Sequence, residues 1–377
     1  MFKLARHSKS KIANWWWTVD KVTFVLALFL IFTGMMLVLS ASPSAAHRDR
    51  LYDEFSFIKK QGVFIAAGLV LMVGFSMQSL RTIRRLAVFG FLCALGGVFL
   101  TYLVGDATKG AARWIKFAGF SLQPSEFIKP VFIVMTAWLL DANKRMEDFP
   151  GMSLAVMLYL ITALPVFGQP DLGMTILISG VWALQMVWAG IPVWLILTLF
   201  SSGLILVTGS YFFLAHVRDR IDKFLAAENE IGSQIQKSMD AFANGNLLGR
   251  GPGEGVVKMS LPDVHTDFIF ALAGEEYGVW LTTIIVAAFA AIVVRTMIIS
   301  MRDKNLFVMY AASGLAASLG GQAIVNMCSA LQLMPAKGMT LPFISYGGSS
   351  MLASCLTMGM LLAITRKNAA AEDKDNR

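Results

Sequence analysis

"LPDVHTDFIFALAGEEYG", residues 261–278, decides how the chain is to be read. Its first half has the composition of a loop. Asp267 then opens a long apolar run, and Glu275 and Glu276 interrupt it. An ionisable side chain inside a membrane span costs about 2.5–3.5 kcal/mol on insertion scales, so it normally faces a bundle interior or a wet cavity. If the run is helical from its start, Asp267, Phe270, Ala271 and Gly274 share one face, where the small residues admit a close neighbour. Asp267 then either caps the helix, offsetting exposed N–H groups, or takes part in binding or catalysis. The pattern leaves both readings open.

The rest of the chain places this stretch in a membrane. The sequence of 377 residues is 56% hydrophobic and only 15% charged, a balance that a wetted surface rarely sustains. Apolar runs long enough to cross a bilayer core recur throughout. The fold expected is all-α, a polytopic membrane protein of ten helices at about 20–41, 61–78, 86–104, 126–142, 151–168, 172–189, 191–214, 267–296, 305–329 and 343–365. Residues 1–19 form a basic tail, 366–377 a second tail, and 215–266 a large loop between the seventh and eighth helices. The first apolar run lacks a small-residue cleavage pattern, so no cleaved signal peptide is expected. Cys93, Cys328 and Cys355 all lie in apolar stretches and read as small buried hydrophobes.

Charge orients the chain. The short segments on the side of the N-terminus carry 16 Lys and Arg, among them Lys9, Arg81, Arg84, Arg145, Arg302 and Lys367. Those opposite carry 8: Arg48, Arg50, Lys59, Lys60, Lys109, Arg113, Lys116 and Lys337. The bias predicts cytoplasmic termini. It also accounts for the formal charge of +8 without any nucleic-acid partner. Four polar stretches then open on one outer face: "KGAARWIKFAGFSLQPSEFIKP" (109–130), "GQPDLG" (168–173), the loop 215–266, and "LMPAKGMTLPFISYGGSS" (333–350).

Each of these stretches has a structural and a functional reading. Pro124 suits a first helical position and Glu126 the third, a capping arrangement, and Glu126 and Lys129 can pair on one face. Arg113 beside Trp114 suits an interfacial anchor or a phosphate. Gln169 and Asp171 sit in a turn too tight to be a plain loop. Ser345, Tyr346 and two glycines make an irregular entry to the last helix, and Arg218 lies on an amphipathic-looking segment of the long loop. "GRGPGEG" (249–255) has no preceding strand and is not a dinucleotide site. No His or Cys cluster points to a tightly held metal. Cations suit an anionic headgroup and a carboxylate suits general-base work, so an amphiphilic substrate bearing phosphate fits the outer face.

Four pieces in order, "RWIKFAGFSLQPSEFIKP", "GQPDLG", "LPDVHTDFIFALAGEEYG" and "LPFISYGGSS", resemble the shape, elongation, division and sporulation (SEDS) family of cell-wall polymerases over nearly the whole chain. The Lys337-Gly338 pair is similar to the division-type branch more than to the elongation-type; Ala336, Met339 and Glu254 depart from the commonest pattern. The resemblance implies a peptidoglycan glycosyltransferase that takes lipid II and an undecaprenyl-diphosphate-linked glycan at the outer face of the cytoplasmic membrane, at the division septum. It maps the family's essential acid onto Asp267, with inverting transfer as the mechanism. Substrate contacts are then expected from Arg113, Glu126, Lys129, Gln169, Asp171, Arg218, His265, Thr266, Glu275, Lys337 and Ser345. No tightly bound cofactor is implied; a loosely held divalent cation, Mg or Mn, on the diphosphate is compatible with the chemistry. A class B penicillin-binding transpeptidase of the FtsI type and other divisome membrane proteins are the implied partners. A lipid II flippase is the competing reading. It needs polar groups at mid-bilayer or on the inner side, where the connectors are bare.

Overall fold

The computed structural model describes residues 10–48, 55–104, 106–108, 111–117, 120–215, 217–219, 222, 234–334 and 338–367. Ten long helices match the expected spans one for one. They are α2 (Lys21–Arg48), α3 (Ser56–Ser76), α4 (Leu80–Val104), α5 (Pro124–Arg145), α6 (Gly151–Gly168), α7 (Leu172–Trp188), α8 (Val193–Phe213), α10 (Ile269–Arg302), α11 (Leu306–Ala330) and α12 (Gly348–Ile364). Six of them, α2, α3, α4, α6, α10 and α11, are long and apolar enough by themselves to cross a membrane. α5 is less apolar because it carries Glu126, Lys129 and Asp141, all buried within the bundle.

Three elements were not expected. α1 (Lys11–Thr18) is a short helix in the predicted tail; its Trp15 indole donates to Ser76 Oγ at 2.9 Å, at the end of α3. A small antiparallel sheet, β1 (Asp106–Thr108), β2 (Ala111–Phe117) and β3 (Phe120–Leu122), fills the connection from α4 to α5, with Asp106 opposite Trp114 and Ile115 opposite Leu122. Within the long loop lies α9 (Gln234–Gly245), followed by a 3-10 turn at Val257–Met259.

α11 and α12 form the core of the bundle. Nearly every side chain of α12 is buried, and its Gly, Ser, Thr and Cys residues let α3 lie closely along it. α11 packs on α5, α7, α10 and α12. α8 stands at the edge, its main packing being on α7, and it presents Trp194, Leu197, Ile205 and Phe213 outward, as suits acyl chains. Cys355 is buried as expected, but Cys93 is exposed on the outer surface of α4.

The chain direction brings one end of many helices together. The starts of α3, α5, α7, α10 and α12 and the end of α11 share the polar connections described below, so the expected gathering at one face is the arrangement found.

Candidate active site

Asp267 lies on a turn, not in a helix. α10 begins at Ile269, and its capping position is Phe268, which makes no side-chain cap. The expected helical face of Asp267, Phe270, Ala271 and Gly274 therefore does not form from Asp267. The turn folds on the carbonyl of Asp263, which accepts from the N–H groups of Thr266, Asp267 and Phe268 at 3.0–3.3 Å. Asp263 has φ 54°, a left-handed conformation that Asp tolerates better than most residues.

The outer side of this turn is pinned at three successive carbonyls. His265 O accepts from Tyr346 N at 2.8 Å, Thr266 O from Ser345 Oγ at 2.6 Å, and Asp267 O from Asn326 Nδ2 at 3.0 Å. Asn326 also donates to Met339 O at 2.7 Å, which joins α11, the turn and the segment before α12. The backbone of Asp267 is thus fixed while its side chain stays half-buried. The carboxylate faces the loop at Gly338, where an added Cβ would lie 3.7 Å from Oδ2.

A second polar chain runs beneath. Lys129 Nζ, buried in α5, donates to Glu126 Oε2 at 2.7 Å and to Gln322 Oε1 of α11. Gln322 Nε2 reaches Thr340 O at 3.0 Å, and Thr340 and Ser350 exchange a hydroxyl bond. Glu126 and Lys129 form the predicted pair. Lys129 ties the pair to Gln322 of α11, and Gln322 carries the chain on to Thr340.

On the far side, Asp171 caps α7, accepting from Met174 N at 3.2 Å, and pairs with Arg113 at 3.6 Å. Arg113 also donates to Gln169 O at 3.0 Å and to Pro170 O, while Gln169 donates its amide to Val98 O and Thr101 Oγ1. Gln123 and Ser349 carry this cluster across to α12. The structure therefore brings together Arg113, Glu126, Lys129, Gln169, Asp171, Thr266, Asp267 and Ser345. His265 stands beside them in a triangle of rings with Phe57 and Tyr346, whose centroids are 4.6 and 5.4 Å from its own and 5.1 Å from each other.

Two expectations end elsewhere, and a third falls outside the described residues. Glu275 is fully buried, and its two oxygens accept from the backbone N–H groups of Val256, Val257 and Lys258 at 2.7–3.3 Å. Its lone pairs hold the 3-10 turn, which corrects its assignment as a substrate contact. Arg218 is exposed beyond α8, over the ring of Tyr211 at 5.5 Å, apart from the cluster. Lys337, like Arg220 and Lys223 of the long loop, lies outside the described residues. Gln322 and Asn326 are the important residues that motif reading passed over. Two amides four apart in an apolar span are themselves a signal, because a polar group in hydrocarbon needs a partner.

These features define a polytopic helical membrane protein whose polar residues converge on a half-buried carboxylate at one end of the bundle. Residues 20–370 match the family of cell cycle proteins that unites FtsW, RodA and SpoVE, and the chain belongs to that family. It is 42% identical over 367 residues to the probable peptidoglycan glycosyltransferase FtsW of Caulobacter vibrioides, covering 97% of this chain and 94% of that one. It is 36% identical to the corresponding protein of Geobacter sulfurreducens, over 92% and 95% of the two chains. Among solved structures, a chain of a peptidoglycan synthase complex that coordinates polymerization and crosslinking superposes with a TM-score of 0.77 at 25% identity, over 92% of this chain and 97% of that one. RodA of Thermus thermophilus shares the fold, with a TM-score of 0.66 at 24% identity over 93% and 97% of the chains.

Proposed function

We propose that the chain is a peptidoglycan glycosyltransferase of the division type, polymerising lipid II at the outer face of the cytoplasmic membrane with Asp267 as general base. The observation that carries the reading is the pinned turn: its backbone is tied to α11 and to the segment before α12, while its carboxylate stays half-buried and faces a glycine. That is how a base is held when its position must be fixed and its oxygen reachable.

In the proposed step the 4-hydroxyl oxygen of lipid II bonds to the anomeric carbon of the undecaprenyl-diphosphate-linked glycan. The bond from that carbon to the diphosphate breaks with inversion, undecaprenyl diphosphate leaves, and Asp267 takes the hydroxyl proton. General-base assistance contributes about 10²–10⁴-fold. Arg113 is the more exposed of the clustered cations, at 14% of its side chain against 5% for Lys129, and suits the diphosphate. A divalent cation, Mg or Mn, enters in this reading as part of the diphosphate substrate. Both termini face the cytoplasm, the enzyme works at the septum, and a class B transpeptidase of the FtsI type supplies the crosslinking.

The test is Asp267→Asn, purified with its cognate transpeptidase and given lipid II. Glycan strands on a gel should vanish while the thermal midpoint holds. Near-normal polymer from the Asn variant overturns the base; transport of lipid II without polymer by the unmodified protein favours a flippase.

A further inference from the structure

We propose that Glu276, Lys258 and Ser40 form a latch that positions Asp267 from the opposite end of a short helical strut, an inference that rests on the function proposed above. The strut is the part of α10 before its break, residues 269–277. At Gly278 the backbone turns to φ 70° and ψ −162°, outside the helical region and open only to glycine. Asp267 therefore hangs on a helix of little more than two turns whose far end is the break.

That far end is gripped by the loop 246–258. Arg250 N donates to Glu275 O at 3.0 Å, Gly251 N to Glu276 O at 2.9 Å, and Val279 N to Asn246 O at 3.1 Å. Helix α9 lies along the strut so closely that a Cβ on Gly245 would sit 1.8 Å from Gly274 O. Glu275 then binds the backbone of the 3-10 turn, as described above.

The latch closes this grip onto α2. Lys258 Nζ donates to Glu276 Oε1 at 2.7 Å, to Gly253 O at 2.6 Å and to Ser40 Oγ at 3.1 Å, and the Ser40 hydroxyl donates to Glu276. Both charges are buried, at 1% and 7% exposure for Glu276 and Lys258. A buried pair with this many directed bonds is a poor source of net stability, since apolar residues of equal volume often serve as well. What it supplies is direction: one lysine ties the loop, the strut and α2 at a single point. The strut is held there and at Asn326, and Asp267 lies at the Asn326 end.

The experiment uses the full chain with its cognate transpeptidase and lipid II, reading kcat and KM per folded molecule well below the thermal midpoint. The variant Lys258→Met with Glu276→Gln removes both charges while keeping volume, so it folds without an orphaned ion. A displacement of ~1 Å at a catalytic group costs up to ~10²-fold, so kcat should fall by about tenfold with KM unchanged. Ser40→Ala, which leaves the ion pair in place, should lower kcat by a smaller factor in the same way. Wild-type kcat in the folded double variant overturns the latch. If the double variant does not fold, wild-type kcat in Ser40→Ala overturns it instead. Absence of polymer from the unmodified protein overturns the proposed function and this inference with it, whereas active unmodified protein with unchanged variants removes only the latch.

Discussion

Asp267 and Glu275 stand eight positions apart in one stretch of sequence, and their surroundings are opposite. Around Asp267 the partners bind the backbone: three carbonyls in a row are taken by Tyr346, Ser345 and Asn326. Around Glu275 the partners bind the side chain: its carboxylate accepts three backbone N–H groups and is wholly enclosed. The first arrangement fixes a residue by its backbone and leaves it half-buried. The second uses up the acid to fix something else. Burial of a carboxylate is thus no mark of function by itself: the wholly enclosed Glu275 holds a turn.

The contrast can be broken or sharpened by substitution. The largest effect on turnover is expected at Asp267→Asn, a loss of about 10²–10⁴-fold in polymer formed, with the melting midpoint in detergent unchanged. Glu275→Ala should act first on stability. Three N–H groups, one of them buried, lose their acceptor, costing on the order of 1–3 kcal/mol, and a lowered midpoint by fluorescence should report it. A midpoint that stays put would mean that the 3-10 turn needs no anchor. Gly278→Ala comes next: a left-handed φ costs about 1–2 kcal/mol, and the new Cβ would meet Gly249 N at 2.5 Å. Asn326→Ala should cost roughly 1 kcal/mol as an interhelical bond is lost, yet lower polymerisation more than that stability change explains, because the Asp267 carbonyl is released. Arg218→Ala is the smallest. An exposed side chain away from the cluster should leave stability within about 0.5 kcal/mol, and polymer yield unchanged; a clear loss of polymer would restore Arg218 to the substrate site.

Much of this architecture could be read from the chain because hydropathy is local. Ten apolar runs sit where ten helices lie, and at the start of α5 Pro124 takes the first position and Glu126 pairs with Lys129, although the cap expected there does not form: Gln123 precedes the helix without a side-chain cap, and the Glu126 carboxylate serves Lys129. The gathering of polar motifs at one end followed from counting helices. What escaped was decided at long range. Glu276 meets a lysine eighteen positions upstream and a serine 236 positions away, so nothing near it in sequence announces its fate. The sheet at 106–122 and the helices α1 and α9 are short, and their patterns were submerged in polar or basic segments. Asp267 was placed in a helix because the apolar run begins there, whereas the turn on Asp263 takes the chain into helix two residues later.

The break at Gly278 also bears on how the chain enters a membrane during synthesis. A straight helix over all of α10 would hold Glu275 and Glu276 inside the segment that the insertion machinery weighs, at about 2.5–3.5 kcal/mol for each charge near its centre. Residues 279–302 alone rise about 36 Å at ~1.5 Å per residue, enough for a hydrocarbon core of roughly 30 Å. From Val279 to Val294 that segment carries no charge, and its first ionisable residue is Arg295. One glycine therefore divides the labour: the residues after it supply the hydrophobicity for insertion, and those before it are free to be acidic.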